Sequence, residues 1–349
     1  MDKNILITGG CGFIGSEAVR FFIKEGFNVY NFDKLTYASC EESLLDLPTD
    51  QYTFFKGDIS DKRSTNNFIK TAQPMFILNF AAESHVDRSI EGPDDFIDTN
   101  IIGTYNLLNE TLIYFSDLSE VEKKSFKFIH ISTDEVYGSL DFDDKPFIEE
   151  SPYRPNSPYS ASKASSDFLV RAWGKTYGLP INITHSSNNY GPWQFPEKLI
   201  PLTVRNALND RPIQIYGNGS NIRDWIHVSD HIDAISQVMS SGVVGETYNI
   251  GGNTELSNLQ LVNLICTILD NVKPKQEGLY SNLIEFVEDR PGHDKRYAIN
   301  INKILAHTSW SPKVSFYDGI ELYIKWLLEN SSWLFDKSNE KNRIGLKKK

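Results

Sequence analysis

The chain has 349 residues, of which 40% are hydrophobic and 23% charged, and its formal net charge is −11. This length allows one large or two medium domains, and the composition excludes a disordered, collagenous or disulfide-scaffolded chain. The negative charge argues against general binding to nucleic acid or anionic membrane, because those partners need a dominant basic face. If the ligand carries phosphate, the cations that bind it would therefore have to be clustered at the binding site.

The three cysteines, Cys11, Cys40 and Cys266, are widely separated and form no CxxC or Cys/His cluster. We therefore expect no disulfide framework and no metal site, and a reducing cytoplasm fits this pattern. The N-terminus has no basic segment followed by a long apolar run, and the sequence has no apolar stretch of about 18 residues. We expect neither export nor a membrane span.

Five short runs of β-branched or aromatic residues predict strands in the first half of the chain. They lie at residues 5–7, 28–32, 52–55, 76–80 and 126–131. Segments with helical spacing alternate with them, at residues 15–25, 62–72, 94–115 and 159–177. This alternation predicts an α/β fold with a doubly wound parallel sheet of the Rossmann type, in which ligands bind at the carboxyl ends of the strands.

The rhythm of the elements changes near residue 180, where Gly191-Pro192, Gly217-Asn218-Gly219 and Pro291-Gly292 separate shorter segments. We predict a first domain over residues 1–185, with parts of 220–252 returning to it. A second, smaller α/β lobe is expected mainly from residues 186–330. Residues 336–349 are strongly polar and are expected to form a frayed tail.

Gly9, Gly12 and Gly15 follow the first predicted strand and open the first predicted helix. Such a turn lets the backbone approach a pyrophosphate, and the helix N-terminus offers amides and positive dipole to the phosphates. Asp33 ends the second strand, where a carboxylate binds a ribose 2′-hydroxyl and repels a 2′-phosphate. The pattern predicts a dinucleotide site that favours NAD over NADP.

Tyr159 and Lys163 stand four residues apart on a predicted helix, so that they share one face. A phenol with a reference pKa of about 10 needs nearby positive charge to act as a base at neutral pH. An ammonium and an oxidised nicotinamide ring supply such charge. The pair alone is common on surface helices, but after a dinucleotide fingerprint it predicts hydride chemistry at a carbinol.

Thr133, Asp134 and Glu135 directly follow the predicted strand at 126–131. Two adjacent carboxylates repel each other, so one of them is easily protonated and the pair can offer an acid and a base in one pocket. β-Elimination from a hexose needs this combination, because a C4 ketone makes the C5 proton acidic. The alternative is that both residues only cap a helix after the strand.

With these residues the chain resembles the dTDP-glucose 4,6-dehydratases, from residue 4 to about residue 330. The matching motifs in chain order are DKLTYA at 33–38, AAESHVDRSI at 81–90, STDEVYG at 132–138, YSASK at 159–163, NNYGP at 188–192, FPEKLIP at 195–201, RDW at 223–225, YNIGG at 248–252 and DRPGHD at 289–294. Ser39, Cys40 and Trp193 depart from the more usual family residues.

The resemblance implies an NAD-dependent hydro-lyase that converts dTDP-glucose to dTDP-4-keto-6-deoxy-glucose. It implies that Tyr159, assisted by Thr133 and Lys163, takes the O4 proton while hydride passes from C4 to NAD. Glu135 then removes the C5 proton, Asp134 protonates O6, and the hydride returns to C6. NAD would thus be a bound catalyst that each turnover regenerates.

The resemblance also implies two sets of ligand contacts. Those with NAD are Gly9, Gly12, Phe13, Ile14, Gly15, Asp33, Lys34, Leu35, Thr36, Asp58, Ile59, Phe80, Ala81, Ala82, Ser84, Thr99, Tyr159, Lys163 and Asn189. Those with the nucleotide sugar are Ser84, Thr133, Asn188, Lys198, Leu199, Gln214, Ile215, Tyr216, Arg223, Asn258, Arg290 and His293. The cations of the second set would face the diphosphate.

Three alternatives stay open from the sequence. UDP-glucose 4,6-dehydratases share most of these motifs, so the nucleotide base is undecided. Another extended short-chain-dehydrogenase enzyme, an epimerase or decarboxylase, would usually lack the acidic pair after Thr133. A non-enzymatic NAD-sensing module would typically lack Tyr159 or Lys163.

We also expect a homodimer through the helices at 94–115 and 159–177. Both helices carry more apolar residues than packing on one sheet requires, and the family resemblance implies the same interface. The residues concerned are Tyr105, Leu108, Leu112, Phe168, Leu169 and Trp173.

Overall fold

A computed structural model describes residues 3–336 of the protein, so the predicted polar tail at 336–349 lies outside the described residues from 337 onward. The strands are β1 (Asn4–Thr8), β2 (Asn28–Asp33), β3 (Tyr52–Lys56), β4 (Phe76–Asn79), β5 (Lys127–Thr133), β6 (Ile181–Ser186), β7 (Asn188–Tyr190), β8 (Ile213–Tyr216), β9 (Ile222–His227), β10 (Thr247–Ile250), β11 (Glu255–Ser257) and β12 (Ile284–Val287).

The helices connect these strands and cover the sheet. They are α1 (Phe13–Lys24), α2 (Lys62–Ala72), α3 (Val86–Glu91), α4 (Asp94–Phe96), α5 (Thr104–Asp117), α6 (Glu120–Ser125), α7 (Pro158–Tyr177), α8 (Leu199–Leu208), α9 (Val228–Ser241), α10 (Asn258–Val272), α11 (Asn302–His307), α12 (Phe316–Glu329) and α13 (Ser331–Asp336). A π-helix spans Ile97–Gly103, and 3₁₀ turns lie at Glu41–Leu44, Asp134–Tyr137 and Tyr280–Leu283.

Seven strands form one sheet in the order β10-β6-β5-β4-β1-β2-β3, and every neighbouring pair is parallel. The strands β1 to β5 lie where the apolar runs predicted them, so the predicted doubly wound parallel sheet is confirmed. The direction of the strand order reverses at β1, which lies between β2 and β4. Such a reversal opens a crevice beyond the carboxyl ends of the strands, where ligands bind.

The predicted helix at 94–115 is instead a succession of α4, the π-helix and α5. Asn100 lies in the π-helix and its side chain fixes two distant segments. Its Oδ1 accepts from the Glu83 N–H at 2.9 Å, while its Nδ2 donates to the Glu83 carbonyl at 3.0 Å and to Ser162 Oγ at 2.8 Å. The periodicity of apolar residues does not show such a widened turn, because polar contacts outside the helix hold it.

The second half of the chain contributes to two separate apolar cores. β10 pairs with β6, and α9 packs Ile232, Ile235 and Val238 into the same core as Ile5 and Ile7 of β1. A separate apolar core lies between α8, α10 and α12, beside the small parallel sheet of β8 and β12. A third sheet, of order β11-β9-β7, stands between these two parts.

The structure corrects the set of residues expected at a dimer interface. Leu108 is fully buried and Trp173 is 9% exposed, because both pack in the core of the chain itself. Leu112 and Leu169 also pack against that core. Of the predicted set, Tyr105 and Phe168 are exposed, at 42% and 59%.

The turn between β1 and α1 needs glycine for steric reasons. Gly9 has a φ of +71°, and a Cβ at this position would lie 2.7 Å from the Ala81 nitrogen. A Cβ at Gly15 would overlap the carbonyl oxygen of Gly9. The first turn of α1 therefore packs against the loop that precedes it, with no room for a side chain.

We predict that Gly15→Ala lowers the free energy of unfolding by about 1 to 3 kcal/mol, the usual cost of overpacking. The matched control is Gly92→Ala, because a Cβ at Gly92 meets no atom within 4 Å. The control should stay within about 0.5 kcal/mol of the parent protein in denaturant unfolding. Equal effects of the two substitutions would contradict the packing argument.

Candidate active site

A long cleft runs along the carboxyl ends of the central strands. The expected NAD contacts that line it are Gly9, Gly12, Phe13, Ile14, Gly15, Asp33, Lys34, Thr36, Asp58, Ile59, Phe80, Ala81, Ala82, Ser84, Thr99, Tyr159, Lys163 and Asn189. Leu35 is not among the lining residues. Its side chain packs against the main core, and its N–H donates to Asp33 Oδ1 at 2.7 Å. Leu35 thus shapes the site through Asp33.

The cleft has the groups that a dinucleotide requires. Helix α1 has 12 residues, and its N-cap Gly12 gives no side-chain hydrogen bond to the amides of the first turn. These amides are donors for phosphate oxygens. Asp33 Oδ2 accepts from the Cys11 N–H at 2.9 Å; burial raises the pKa of Asp33, while the N–H groups of Leu35 and Cys11 lower it. The residues present fit a pyrophosphate and a ribose.

Tyr159 and Lys163 lie on the first two turns of α7, which starts with Pro158 after the capping box of Ser157 and Ser160. Tyr159 is 9% exposed and Lys163 is 3% exposed. Burial and the charge of Glu135 raise the pKa of Tyr159, whereas burial lowers the pKa of Lys163 to about 8. The phenol therefore needs positive charge beside it to release a proton near neutral pH.

The acidic pair opens the 3₁₀ turn that follows β5. Thr133 caps this turn by accepting from the Glu135 N–H at 3.3 Å, and the Thr133 hydroxyl lies 3.4 Å from Asp134 Oδ1. Burial, followed by the charges of Glu135 and Asp224, raises the pKa of Asp134 well above its ordinary value. Burial also raises the pKa of Glu135, but Arg290 and Arg223 oppose that rise. The pKa of both carboxyl groups is thus raised, and Asp134, whose pKa is raised well above its ordinary value, holds its proton more firmly than Glu135.

A second cleft opens between the segment after β4 and residues of β8, β9 and the segment after β12. The expected substrate contacts that line it are Ser84, Asn188, Lys198, Leu199, Gln214, Ile215, Tyr216, Arg223, Asn258, Arg290 and His293, whereas Thr133 lines the first cleft. The two clefts meet, because they share Ser84, Glu135, Asn188, Asn189, Gln194, Glu197 and Lys198. Glu135 therefore faces both of them.

Fixed contacts hold the cations of the second cleft. Arg290 Nη1 lies 2.8 Å from Asp87 Oδ1, and the Tyr216 hydroxyl donates to Asp87 Oδ2 at 3.2 Å. Arg223 lies 4.2 Å from the ring centroid of Tyr297, and its Nη2 donates to the Asp294 carbonyl at 3.2 Å. These contacts place positive charge where the chain as a whole is negative.

Sequence reasoning missed Asp87 and Tyr297, which line the second cleft and hold the two arginines. Asp87 lies in the motif at 81–90, so its position was a usable signal, whereas no motif marks Tyr297. Within residues 3–336, no group of three or more His, Cys, Asp or Glu could hold a metal ion. No helix in the same range is long and apolar enough to cross a membrane.

Comparison with known proteins agrees with this architecture. The sequence profile of the family described as GDP-mannose 4,6 dehydratase matches residues 6–323. The dTDP-glucose 4,6-dehydratase of Haemophilus influenzae is 50% identical over 94% of this chain and 99% of its own length. That of Salmonella typhimurium is 51% identical over 95% of this chain and 94% of its own length.

Solved structures show the same similarity. DesIV, the dTDP-glucose 4,6-dehydratase of Streptomyces venezuelae solved with NAD and TYD bound, is 40% identical with a TM-score of 0.86, and the match covers 95% of this chain and 99% of that one. The dTDP-glucose 4,6-dehydratase of Bacillus anthracis, in complex with NAD, is 44% identical with a TM-score of 0.82 over 95% and 98%. From the identity, the coverage and the two joined clefts, the chain belongs to the dTDP-glucose 4,6-dehydratase family.

Proposed function

We propose that the chain is an NAD-dependent hydro-lyase that converts dTDP-glucose to dTDP-4-keto-6-deoxy-glucose. The observation that carries this proposal is the position of Asp134 and Glu135. Both lie beside Tyr159 and line the dinucleotide cleft, and Glu135 also lines the second cleft where the two clefts meet. A proton-taking phenol and an acid–base carboxyl pair at one point are what oxidation at C4 followed by elimination across C5–C6 requires.

In the first half of the reaction Tyr159 takes the proton of the O4 hydroxyl. Thr133 hydrogen bonds to the phenol and lowers its pKa, against the effects of burial and Glu135, which raise it. Lys163, one helical turn further on, adds the positive charge that the phenolate needs. Bound NAD would supply the acceptor for the hydride from C4 and the donor of that hydride to C6, while Glu135 would return a proton to C5.

In the second half the two carboxyl groups act on the ketone. Glu135 removes the C5 proton; burial raises its pKa and so strengthens it as a base, while the charges of Arg290 and Arg223 oppose that rise. Asp134 protonates the departing O6, since burial and the neighbouring charge of Glu135 keep it protonated. The 4-ketone makes the C5 proton acidic, so elimination follows oxidation.

We infer that the chain has two lobes and that each binds a different ligand. Residues 1–185, joined by parts of 220–252, bind NAD, and residues 186–330 mainly cover the sugar nucleotide. Arg223, Arg290 and Lys198 face the diphosphate, and Asp87 fixes Arg290 for this contact. His293 stays neutral as a hydrogen-bonding group, because burial and Arg290 lower its pKa to about 4.

The rival nucleotide-sugar chemistry is epimerisation. The UDP-glucose 4-epimerase of Thermotoga maritima has a TM-score of 0.81 to this chain, but its identity is 27%. A 4-epimerase needs no acid and base for elimination, whereas Asp134 and Glu135 supply both here. The identity of the dehydratase relatives favours dTDP-glucose over UDP-glucose as substrate.

Turnover of the two nucleotide sugars tests the proposal. Purified protein incubated with dTDP-glucose should form a base-labile 4-keto sugar without added cofactor beyond a catalytic amount of NAD. We expect kcat/KM for UDP-glucose to be lower by about tenfold or more, because UDP lacks the 5-methyl group of thymine and carries an additional ribose 2′-hydroxyl, and one methyl group in a pocket is by itself worth about tenfold. Formation of the C4 epimer, or equal use of both substrates, would contradict the assignment.

Substitutions can separate the residues that act in C4 oxidation from those that act in elimination. Asp134→Asn combined with Glu135→Gln should still oxidise C4, because the ketone forms before either carboxyl group is needed. Bound reduced cofactor should then accumulate, while dehydration slows by about 10² to 10⁴. Tyr159→Phe should leave the cofactor oxidised. Stopped-flow absorbance of the reduced nicotinamide distinguishes these outcomes, and product formation near the parent rate by the double variant would refute the roles.

We also propose that the protein is a cytoplasmic homodimer that needs no nucleic acid or membrane partner. Cys11, Cys40 and Cys266 are all unpaired, as expected in a reducing compartment. Large apolar side chains are exposed along the π-helix, α5 and α7, where the dimer interface was expected. They are Ile97, Ile102, Tyr105, Ile113, Phe168 and Tyr177.

Replacing both Tyr105 and Phe168 with Glu should shift the protein from two chains to one at micromolar concentration, since charge on an apolar interface is costly to bury. Leu322→Glu is the control, because Leu322 is 64% exposed on α12, away from this surface. Sedimentation velocity gives the masses. A single-chain mass for the parent protein would refute the dimer.

A further inference from the structure

A fully buried polar cluster lies beneath Lys163, and the reaction described above does not use it. Its charged member is Asp167, which follows Lys163 by one turn of α7 and Tyr159 by two turns. Asp167 is 0% exposed, and its neighbours His130 of β5 and His185 of β6 are also 0% exposed. A buried carboxylate is costly unless its charge is compensated.

The contacts of Asp167 show what compensates it. Asp167 Oδ2 accepts from His185 Nε2 and from Ser132 Oγ, both at 3.0 Å. Burial alone would raise the pKa of Asp167, but the hydrogen bond from His185 and the nearby positive charge, including that of Lys163, lower it below its ordinary value. Asp167 is therefore a carboxylate in the same buried cluster as the ammonium of Lys163.

His130 lies between the ammonium of Lys163 and the carboxylate of Asp167. Its Nε2 lies 3.5 Å from Lys163 Nζ and 3.4 Å from Asp167 Oδ1, so the ammonium and the carboxylate are within about 7 Å of each other. Asn79 fixes the tautomer of His130. Asn79 Oδ1 accepts from Thr8 Oγ1, so its Nδ2 is the donor to His130 Nδ1 at 3.1 Å, and the neutral ring carries its proton on Nε2.

The neutral ring cannot itself compensate Lys163. Burial, and then the charge of Lys163, lower the pKa of His130 to about 3. Lys163 Nζ donates to the backbone carbonyl of Ile131 at 2.8 Å. This carbonyl positions the ammonium but carries no net charge that could compensate it. Asp167 is the group whose charge favours the protonated form of Lys163 against burial.

We propose that Asp167 is a positioning residue of the reaction, the buried counter-charge that keeps Lys163 protonated and thereby sets the pH range in which Tyr159 acts. The proposal rests on the roles proposed above for Tyr159 and Lys163. Asp167 does not line either cleft, so its effect reaches the substrate through Lys163.

The negative charge of Asp167 shifts the pKa of Lys163 and that of Tyr159 in the same direction. It stabilises the ammonium of Lys163 and disfavours the phenolate of Tyr159, so it raises both pKa values. Removing this charge should lower both pKa values. The other titratable groups packed around Lys163 and Asp167 are His130 on β5, Asp134, Glu135 and Tyr137 on the 3₁₀ turn, Tyr153 before α7, Tyr159 on α7 and His185 on β6.

The test compares Asp167→Asn with the parent protein. Asparagine keeps an oxygen that can accept from His185 and Ser132, so the change removes mainly the charge. We expect both limbs of the pH profile of C4 oxidation, followed as pre-steady-state reduction of bound NAD, to move to lower pH by about 1 unit or more. A purely structural role would lower the amplitude of the profile and leave its limbs in place.

Ser166→Ala is the matched control. Ser166 lies in the same buried cluster, where its hydroxyl contacts His130 Nε2 at 3.0 Å and the Lys163 carbonyl at 2.8 Å, but it carries no charge. Ser166→Ala should lower the stability of the protein, but the two limbs of its pH profile of C4 oxidation should stay where they are in the parent protein. Asp167→Ser, which removes the charge with a different shape, should shift the limbs as Asp167→Asn does, whereas Asp167→Glu should keep them within about 0.3 pH unit, because the charge stays.

A measurement without turnover separates this proposal from the proposed function. The phenolate absorbance of NAD-loaded protein, minus that of Tyr159→Phe, gives the titration of Tyr159 alone, and Asp167→Asn should move its midpoint to lower pH. This holds even if dTDP-glucose is not the substrate. Unmoved limbs and midpoint, an equal shift in Ser166→Ala, or failure of both charge-removing variants to fold beside a folded Ser166→Ala would overturn the role of Asp167.

Discussion

Electrostatic repulsion in a buried pocket is the constraint on which the site depends. Asp134 and Glu135 follow one another after β5, and Tyr159 lies beside them. A pocket that shields these groups from water disfavours all three as anions, so the pKa of Asp134 rises well above its ordinary value. The assignment of acid and base follows from this difference in surroundings, since the two carboxyl groups are chemically alike.

Two groups of cations lie near these residues. One lies near the carboxyl pair that we propose for the elimination, and the other near the phenol that we propose for the oxidation. Arg223 and Arg290 approach Glu135 from the second lobe and favour its ionised form. Lys163 approaches from α7, below the phenol, and the buried Asp167 opposes the loss of its proton. The arginines proposed to bind the substrate therefore also lower the pKa of Glu135 against the effect of burial.

Much of the fold was predictable because local patterns carry it. Apolar runs placed β1 to β5, and the 3.6-residue period placed α2 and most of α7. The π-helix at Ile97–Gly103 was not predictable, because the contacts of Asn100 with Glu83 and Ser162 hold it from outside. In the dimer expectation, Leu108 and Trp173 were misjudged, since a periodic stripe does not show how wide a helix face the chain's own core covers.

By itself, the sequence determined the class of fold, the glycine turn for a dinucleotide and the acidic pair and Tyr159–Lys163 pair, because each depends on residues a few positions apart. Only the tertiary structure decided which partners these groups have. Asp87 on α3 meets Arg290 after β12, and Asp167 on α7 meets His185 of β6 and His130 of β5, although these partners lie far apart along the chain. The pKa of a buried group depends on such neighbours and on lost hydration, and neither is written in the spacing of residues along the chain.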